Sequence, residues 1–105
     1  MLQEGFGSAE ADARARTLQE ARVEAQRMDL ATRAALNADG DLLSRGDRAV
    51  IDAALTRVQT VATLDHAATI DAAVKSLSDA TETFAALRMN RGIKQALTGK
   101  TIDQI

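Results

Sequence analysis

A chain of 105 residues has room for one small domain, or for part of a larger protein. Its formal net charge of −2, with acids and bases interspersed, argues against a nucleic-acid partner or an anionic membrane. The absence of cysteine excludes disulfides and thiolate metal sites and fits a cytoplasmic protein. No apolar run approaches the ~20 residues of a membrane span, and no signal peptide is visible. Alanine is abundant, and Phe6 and Phe84 are the only aromatics. A core of such small side chains buries little area per residue, so modest stability is expected for the chain alone. With no proline and no β-branched alternation, the sequence predicts an all-α fold.

The lead-in Met1–Gly7 carries two apolar residues, Leu2 and Phe6, and two glycines, Gly5 and Gly7, that weaken helix there. Ser8 is a fair N-cap, with Glu10 and Asp12 in the turn where the helix dipole favours acids. From Ser8 to Asn37 the spacing predicts one long helix. Leu18, Ala21, Ala25, Met28, Thr32 and Ala35 step by three and four onto one stripe, while Glu20, Arg22, Glu24, Arg27, Asp29 and Arg33 face water. At ~1.5 Å per residue that helix is roughly 45 Å long.

Asn37-Ala38-Asp39-Gly40-Asp41 is the first break, with Gly40 suited to a left-handed C-cap. Its two aspartates suggest a calcium loop, but that motif fails. Counted from Asn37, Leu42 stands where the loop needs glycine, and Arg48 where it needs a bidentate acid. Leu42 and Leu43 read instead as plugs for the end of a bundle. Ser44 with Asp47 forms a capping-box-like start to a second helix. The Arg45-Gly46-Asp47 tripeptide lies in that first turn, where an integrin ligand would need an exposed loop, and is read as chance. Val50, Ile51, Ala54, Leu55, Val58, Val61 and Ala62 make its apolar face, and it ends near Thr63.

Leu64-Asp65-His66 is short enough only for an antiparallel turn, with Asp65 as the plausible cap of a third helix. His66, the one histidine, has no second ligand nearby and reads as a solvated helix-start residue. The third helix carries Ile70, Ala73, Val74, Leu77, Phe84 and Leu87 on one face. It either runs on or kinks near Gly92, stops at Gly99, and leaves Thr101–Ile105 frayed. Arg88, Arg91, Lys94 and Lys100 cluster near its end, where complementarity to the helix dipole is favoured over an anion site. No phosphate loop, nucleophile–base pair or paired buried carboxylates stand out, so no catalytic, metal or cofactor site is expected in this chain.

These elements predict an antiparallel three-helix bundle. The second helix, about 28 Å long, covers only part of the first, so the first must protrude at its N-terminus. A protruding amphipathic arm implies a partner surface, in the same full-length chain or in another copy. Residues 1–37 are read as arm and long helix, and residues 38–105 as the remaining helices of the same single subdomain. Alone, such a chain is expected to self-associate through Leu2, Phe6 and Leu18.

In order and spacing, the chain resembles the C-terminal helical lid of the DnaK-type heat-shock chaperones, most closely the HscA branch. M-L-Q-E-G-F-G-S-A-E-A-D-A-R-A-R-T-L resembles the approach to the lid. D-L-L-S-R-G-D-R-A-V-I-D-A-A-L resembles the turn and start of its next helix. F-A-A-L-R-M-N-R-G-I-K-Q-A-L-T-G-K-T-I-D-Q-I resembles the HscA ending, without the Gln-rich extension and acidic tail of general DnaK proteins. The resemblance implies an upstream ATPase domain using ATP and magnesium, and a β-sandwich with a peptide groove that the lid closes. It implies an IscU-like iron–sulfur scaffold as client and an HscB-like J-protein as co-chaperone. Lid-to-sandwich candidates are then Leu2, Phe6, Asp12, Leu18, Arg22, Gln26 and Leu30. Asp12 and Arg22 match polar contact positions. Gln26 and Leu30 stand where DnaK carries an acid and a histidine that latch the lid, so a weaker or differently formed latch is expected. The alternative is a free-standing three-helix interaction module, compact and monomeric.

Overall fold

The computed structural model describes the backbone of residues 2–104 and the side chains of residues 9–98. In chain order it has α1 (Leu2–Asp39), a 3-10 turn (Gly40–Leu42), α2 (Arg45–Val61), α3 (Ala67–Ala80) and α4 (Glu82–Gln104). Among the described residues there is no strand. α1, α2 and α3 pack on one another, and α4 lies along the C-terminal end of α1.

α1 is longer than expected. It starts at Leu2, so Gly5 and Gly7 do not break it and Ser8 lies inside it, not at its cap. Once a helix has formed in the strong helix formers that follow, each added residue costs little, and two glycines cost only about 1 kcal/mol each. Leu2 and Phe6 lie outside the residues whose side chains are described. Ala21, Ala25, Thr32, Ala35 and Leu36 are buried, with Leu18 and Met28 packed against them, as the stripe predicts. The one buried polar residue in this core, Thr32, donates its hydroxyl to the Met28 carbonyl at 2.7 Å, so no buried donor is left unsatisfied there. Residues 9–17 are all exposed and form the predicted arm. The chain measures 76 × 33 × 17 Å with a radius of gyration of 19.7 Å, against about 13 Å for a compact domain of this size.

The first break takes another form than predicted. No described glycine has a positive φ, and Gly40 opens the 3-10 turn without entering the left-handed region. Leu42 and Leu43 pack against the core behind it. Ser44 caps α2, its Oγ accepting from the Asp47 N–H at 3.1 Å. Ile51, Leu55, Val58 and Val61 are the buried face of α2, with Ala54 partly buried. Val50 is not on that face; it is 58% exposed. Adjacent helical residues point about 100° apart, so Ile51 at the centre of the face turns Val50 outward. α2 ends at Val61 and is capped by Ala62, two residues before the predicted Thr63.

His66, not Asp65, caps α3. Its Nδ1 accepts from the Thr69 N–H at 3.3 Å and lies 2.7 Å from the Thr69 hydroxyl. The backbone at His66 is extended and therefore takes the capping position, which leaves Asp65 free to reach α1. Ile70, Ala73 and Leu77 are fully buried.

The predicted third helix is two helices. Thr81 ends α3 with its N–H shared between the Leu77 and Ser78 carbonyls, and its hydroxyl donates to Ser78 O at 3.0 Å. The chain turns there, and Phe84 drops against Met28, Thr32 and Ala35 of α1, 2% exposed. α4 then runs unbroken through Gly92 and Gly99 to Gln104.

Arg88 and Arg91 lie in the first half of α4 and pair with acids at the end of α1, in place of the expected match to a C-terminal helix dipole. Three residues apart, they share the side of α4 that crosses the end of α1. Arg88 Nε donates to Asp39 Oδ2 at 2.8 Å, and its guanidinium lies 5.9 Å from the centre of the Phe84 ring. Arg91 Nη1 donates to Asp39 Oδ1 at 2.9 Å and to Asp41 Oδ1 at 3.0 Å, and Nη2 reaches the other Asp41 oxygen. The two acids of the discarded calcium motif are thus neutralised by arginines 49 to 52 residues away. Hydrogen bonds from Arg88 and then Arg91 hold the Asp39 carboxyl below the ordinary aspartate value, and the Arg91 hydrogen bonds do the same at Asp41. Both folded values lie below the unfolded one. The junction's contribution to stability is therefore present above the ordinary value of about 4 and fades as pH falls through it towards the folded values. Carboxyl-carbon NMR titration should place both midpoints below that ordinary value, and Arg91→Gln should bring Asp41 back to it; unshifted midpoints in the parent would remove this account of the junction.

Candidate functional site: the outward face of the first helix

Two turns of α-helix return almost to the same direction after seven residues, about 20° short of a full repeat. Asp12, Gln19, Val23, Gln26 and Leu30 therefore share one side of α1, opposite Ala21, Ala25 and Thr32, which the bundle buries. All five are exposed. Two of them are apolar: Val23 is 46% and Leu30 59% exposed. A branched aliphatic pair so far out of the core makes this the unusual part of the helix surface.

The charges around that pair are mostly engaged within the chain. Arg27 meets Glu24 at 3.7 Å and Arg33 meets Asp29 at 3.2 Å, each one turn apart along α1. Arg22, which the stripe places facing water, instead reaches across to the turn between α2 and α3. Its Nε donates to Ala62 O at 3.1 Å, and Nη2 donates to Leu64 O at 3.1 Å and to Asp65 Oδ1 at 2.7 Å. This single guanidinium satisfies two carbonyls at the C-terminal end of α2, where a helix leaves acceptors open. It fixes that turn against α1.

The predicted contact residues are thus divided. The fold brings Asp12, Gln26 and Leu30 to one outward face. Leu18 lies on the core side and is half-buried, and Arg22 is taken up by the turn. Leu2 and Phe6 cannot be placed, because their side chains lie outside the described residues. Val23 was not among the predicted contacts, although its signal is in the sequence: it stands seven residues before Leu30.

The concave regions beside α1 are open grooves. One, of about 410 Å³, runs between α1 and α2 past Gln26, Asp29, Val58 and Gln59. Another, of about 650 Å³, lies where the arm leaves the bundle, between Ala13, Thr17 and Leu18 on one side and Asp65, His66 and Ala67 on the other. Surfaces of this kind suit a protein neighbour better than a small molecule, which needs an enclosing cleft. α4 also exposes Met89, Ile93 and Leu97 on the side turned away from Phe84. No helix of the described residues is long and apolar enough to cross a membrane.

No family model matches the chain. Curated relatives do, across all 105 residues. It is 60% identical to the Chaperone protein HscA homolog of Methylibium petroleiphilum, 54% to that of Paracidovorax citrulli and 51% to that of Variovorax paradoxus. The chain spans 17% of the length of each of these relatives. Along its whole length, at 50–60% identity, it matches the C-terminal segment of HscA-type chaperones.

Proposed function

We propose that this segment is the helical lid of an HscA-type chaperone, closing over a peptide groove in an upstream β-sandwich and slowing the release of a bound client. The observation that carries the reading is the first helix. It extends well beyond its own bundle and keeps a mixed apolar and polar face turned away from it. A helix that only had to complete a small bundle would need neither feature. The match to the C-terminal segment of HscA homologues supports the same reading. Physically the device is a gate. A cover adds little to the recognition of the client but raises the barrier to its departure, so its effect falls on the off-rate.

In this reading the segment performs no chemistry. ATP and magnesium belong to an upstream ATPase domain, whose nucleotide state sets whether the lid is open or closed. The client is an IscU-like iron–sulfur scaffold protein, delivered with an HscB-like J-protein in the cytoplasm. Neither a nucleic acid nor a membrane takes part.

The test compares the full-length chaperone with a form truncated before this segment, using a fluorescent client peptide in the ADP state. Truncation is expected to accelerate release by about tenfold or more, equivalent to at least ~1.4 kcal/mol of kinetic barrier. Equal release rates in the two proteins would rule the gate out.

A further inference from the structure

Val23 and Leu30 lie about 10.5 Å apart along α1 and within about 20° of one another around it, so a single neighbouring surface can touch both. Of the charges beside them, Arg27 pairs with Glu24, Arg33 with Asp29, and Arg22 with Asp65 and two carbonyls, while Arg16 and Glu20 stand exposed before Val23. Gln26, between the two aliphatic side chains, is uncharged. Along the line from Val23 to Leu30, this part of the face offers a neighbour two aliphatic side chains and an amide, with the charges set to either side.

We infer that the lid docks onto the upstream part of its own full-length chain through an apolar seat formed by Val23 and Leu30, and not through an ionic latch. This rests on the lid reading above. The occupant follows from length and placement. Most of each relative's length lies outside the matched C-terminal segment, so in a protein of that build it precedes residue 1 and is joined at the free end of the arm. From Leu2 to Val23 the helix climbs roughly 30 Å, and to Leu30 roughly 40 Å, about the diameter of a small domain. A domain tethered at the arm's end and lying against α1 therefore reaches the seat without any change in the bundle. The exposed stripe of α4, with Met89 and Ile93, lies past the C-terminal end of α1 and beyond that reach.

An apolar seat and an ionic latch respond oppositely to salt. Exposed ion pairs are screened within about 8 Å at physiological ionic strength and more strongly above it, whereas burial of apolar surface is not weakened by added salt. The decisive experiment measures ADP-state release of a fluorescent peptide from the full-length chaperone and from the double variant V23S/L30S. The variant is expected to release about five- to tenfold faster, the loss of roughly two part-buried aliphatic contacts. The parent rate should change less than about twofold between 0.05 and 0.5 M sodium chloride. The conservative pair V23I/L30M should keep release slow. Neither side chain belongs to the bundle's own core, so the serine variant should leave the lid bundle folded, with amide protection around Ile51, Ile70 and Leu77 equal to the parent's. A steep rise in the parent rate with salt overturns the inference. So does a serine variant that releases at the parent rate, or one that only turns a dimer into a monomer. The truncated form separates the two claims. If truncation accelerates release and V23S/L30S does not, the gate stands and the seat is wrong; if truncation changes nothing, the gate itself fails.

Discussion

Replacing Phe84 with alanine is expected to free α4 from the bundle while α1, α2 and α3 stay folded. Phe84 is buried where α4 meets the bundle, bordering Met28, Thr32 and Ala35 of α1 and Leu43 and Ile51 at the near end of α2, and half-buried Leu87 is the next apolar residue on the same side of α4. Removing a buried phenylalanine side chain costs about 3–5 kcal/mol where the site cannot collapse. Here that loss falls on one junction, because Thr81 already separates α3 from α4. Arg88 and Arg91 cannot hold α4 in place alone, since they are exposed or partly exposed and can find water instead. Amide hydrogen exchange should show lost protection from Phe84 to Thr98, with protection retained around Ile51, Ile70 and Leu77. The Asp39 carboxyl should return to an ordinary midpoint at the same time. Equal loss of protection in all four helices would mean instead that α4 belongs to the same cooperative unit as the rest.

Leu77→Ala is expected to have the opposite distribution, destabilising every helix together. Leu77 is 0% exposed, and it shares the centre of the core with Ile51, Leu55 and Ile70. The helix facing them contributes mainly Ala21, Ala25 and Ala35, which allow close approach but carry little apolar area. A few large side chains therefore supply most of the burial, and the methyls that surround a cavity at position 77 sit on rigid helices that cannot close over it. Loss of about 2–5 kcal/mol is a large share of the 5–15 kcal/mol that holds an ordinary domain together. Urea unfolding should show a much lower midpoint and a single transition. Leu30→Ala, on the outward face, should change stability by no more than about 0.5 kcal/mol.

Much of the bundle was legible in the sequence because its information is local. The alanine stripe of α1 and the Ile51, Leu55, Val58 face of α2 follow from helical spacing, and the Ser44 cap from residue type. Val50 was misread because a run of apolar neighbours hides which of them is central. The break at Thr81 left no mark, since threonine is tolerated inside helices and neither proline nor glycine stands there. Just beyond it Phe84 packs on α1, a contact between residues far apart in the chain that local sequence does not reveal. The same holds for Arg88 and Arg91, whose partners Asp39 and Asp41 lie about half the chain away. Asp65 was read as a cap because nothing in its own neighbourhood reveals Arg22 on another helix. Of the outward face, Asp12, Gln26 and Leu30 were named through resemblance. Val23 carries a signal of its own, seven residues before Leu30 and opposite the predicted stripe, and was passed over among the charged residues around it.

The uninterrupted course of α4 through Gly92 has a mechanical consequence. α1 alone spans about 57 Å, and α4 continues past its C-terminal end to give the full 76 Å length. The arm and the far tip of α4 thus lie at opposite ends of one lever. A hinge rotation of about 15° at the arm, a size common in domain movements, would swing the tip through roughly 20 Å. If the segment works as the proposed gate, a dye at exposed Asn90 or Gln95 would magnify a movement that is small near the arm, and the far end of the molecule would be the place to observe it.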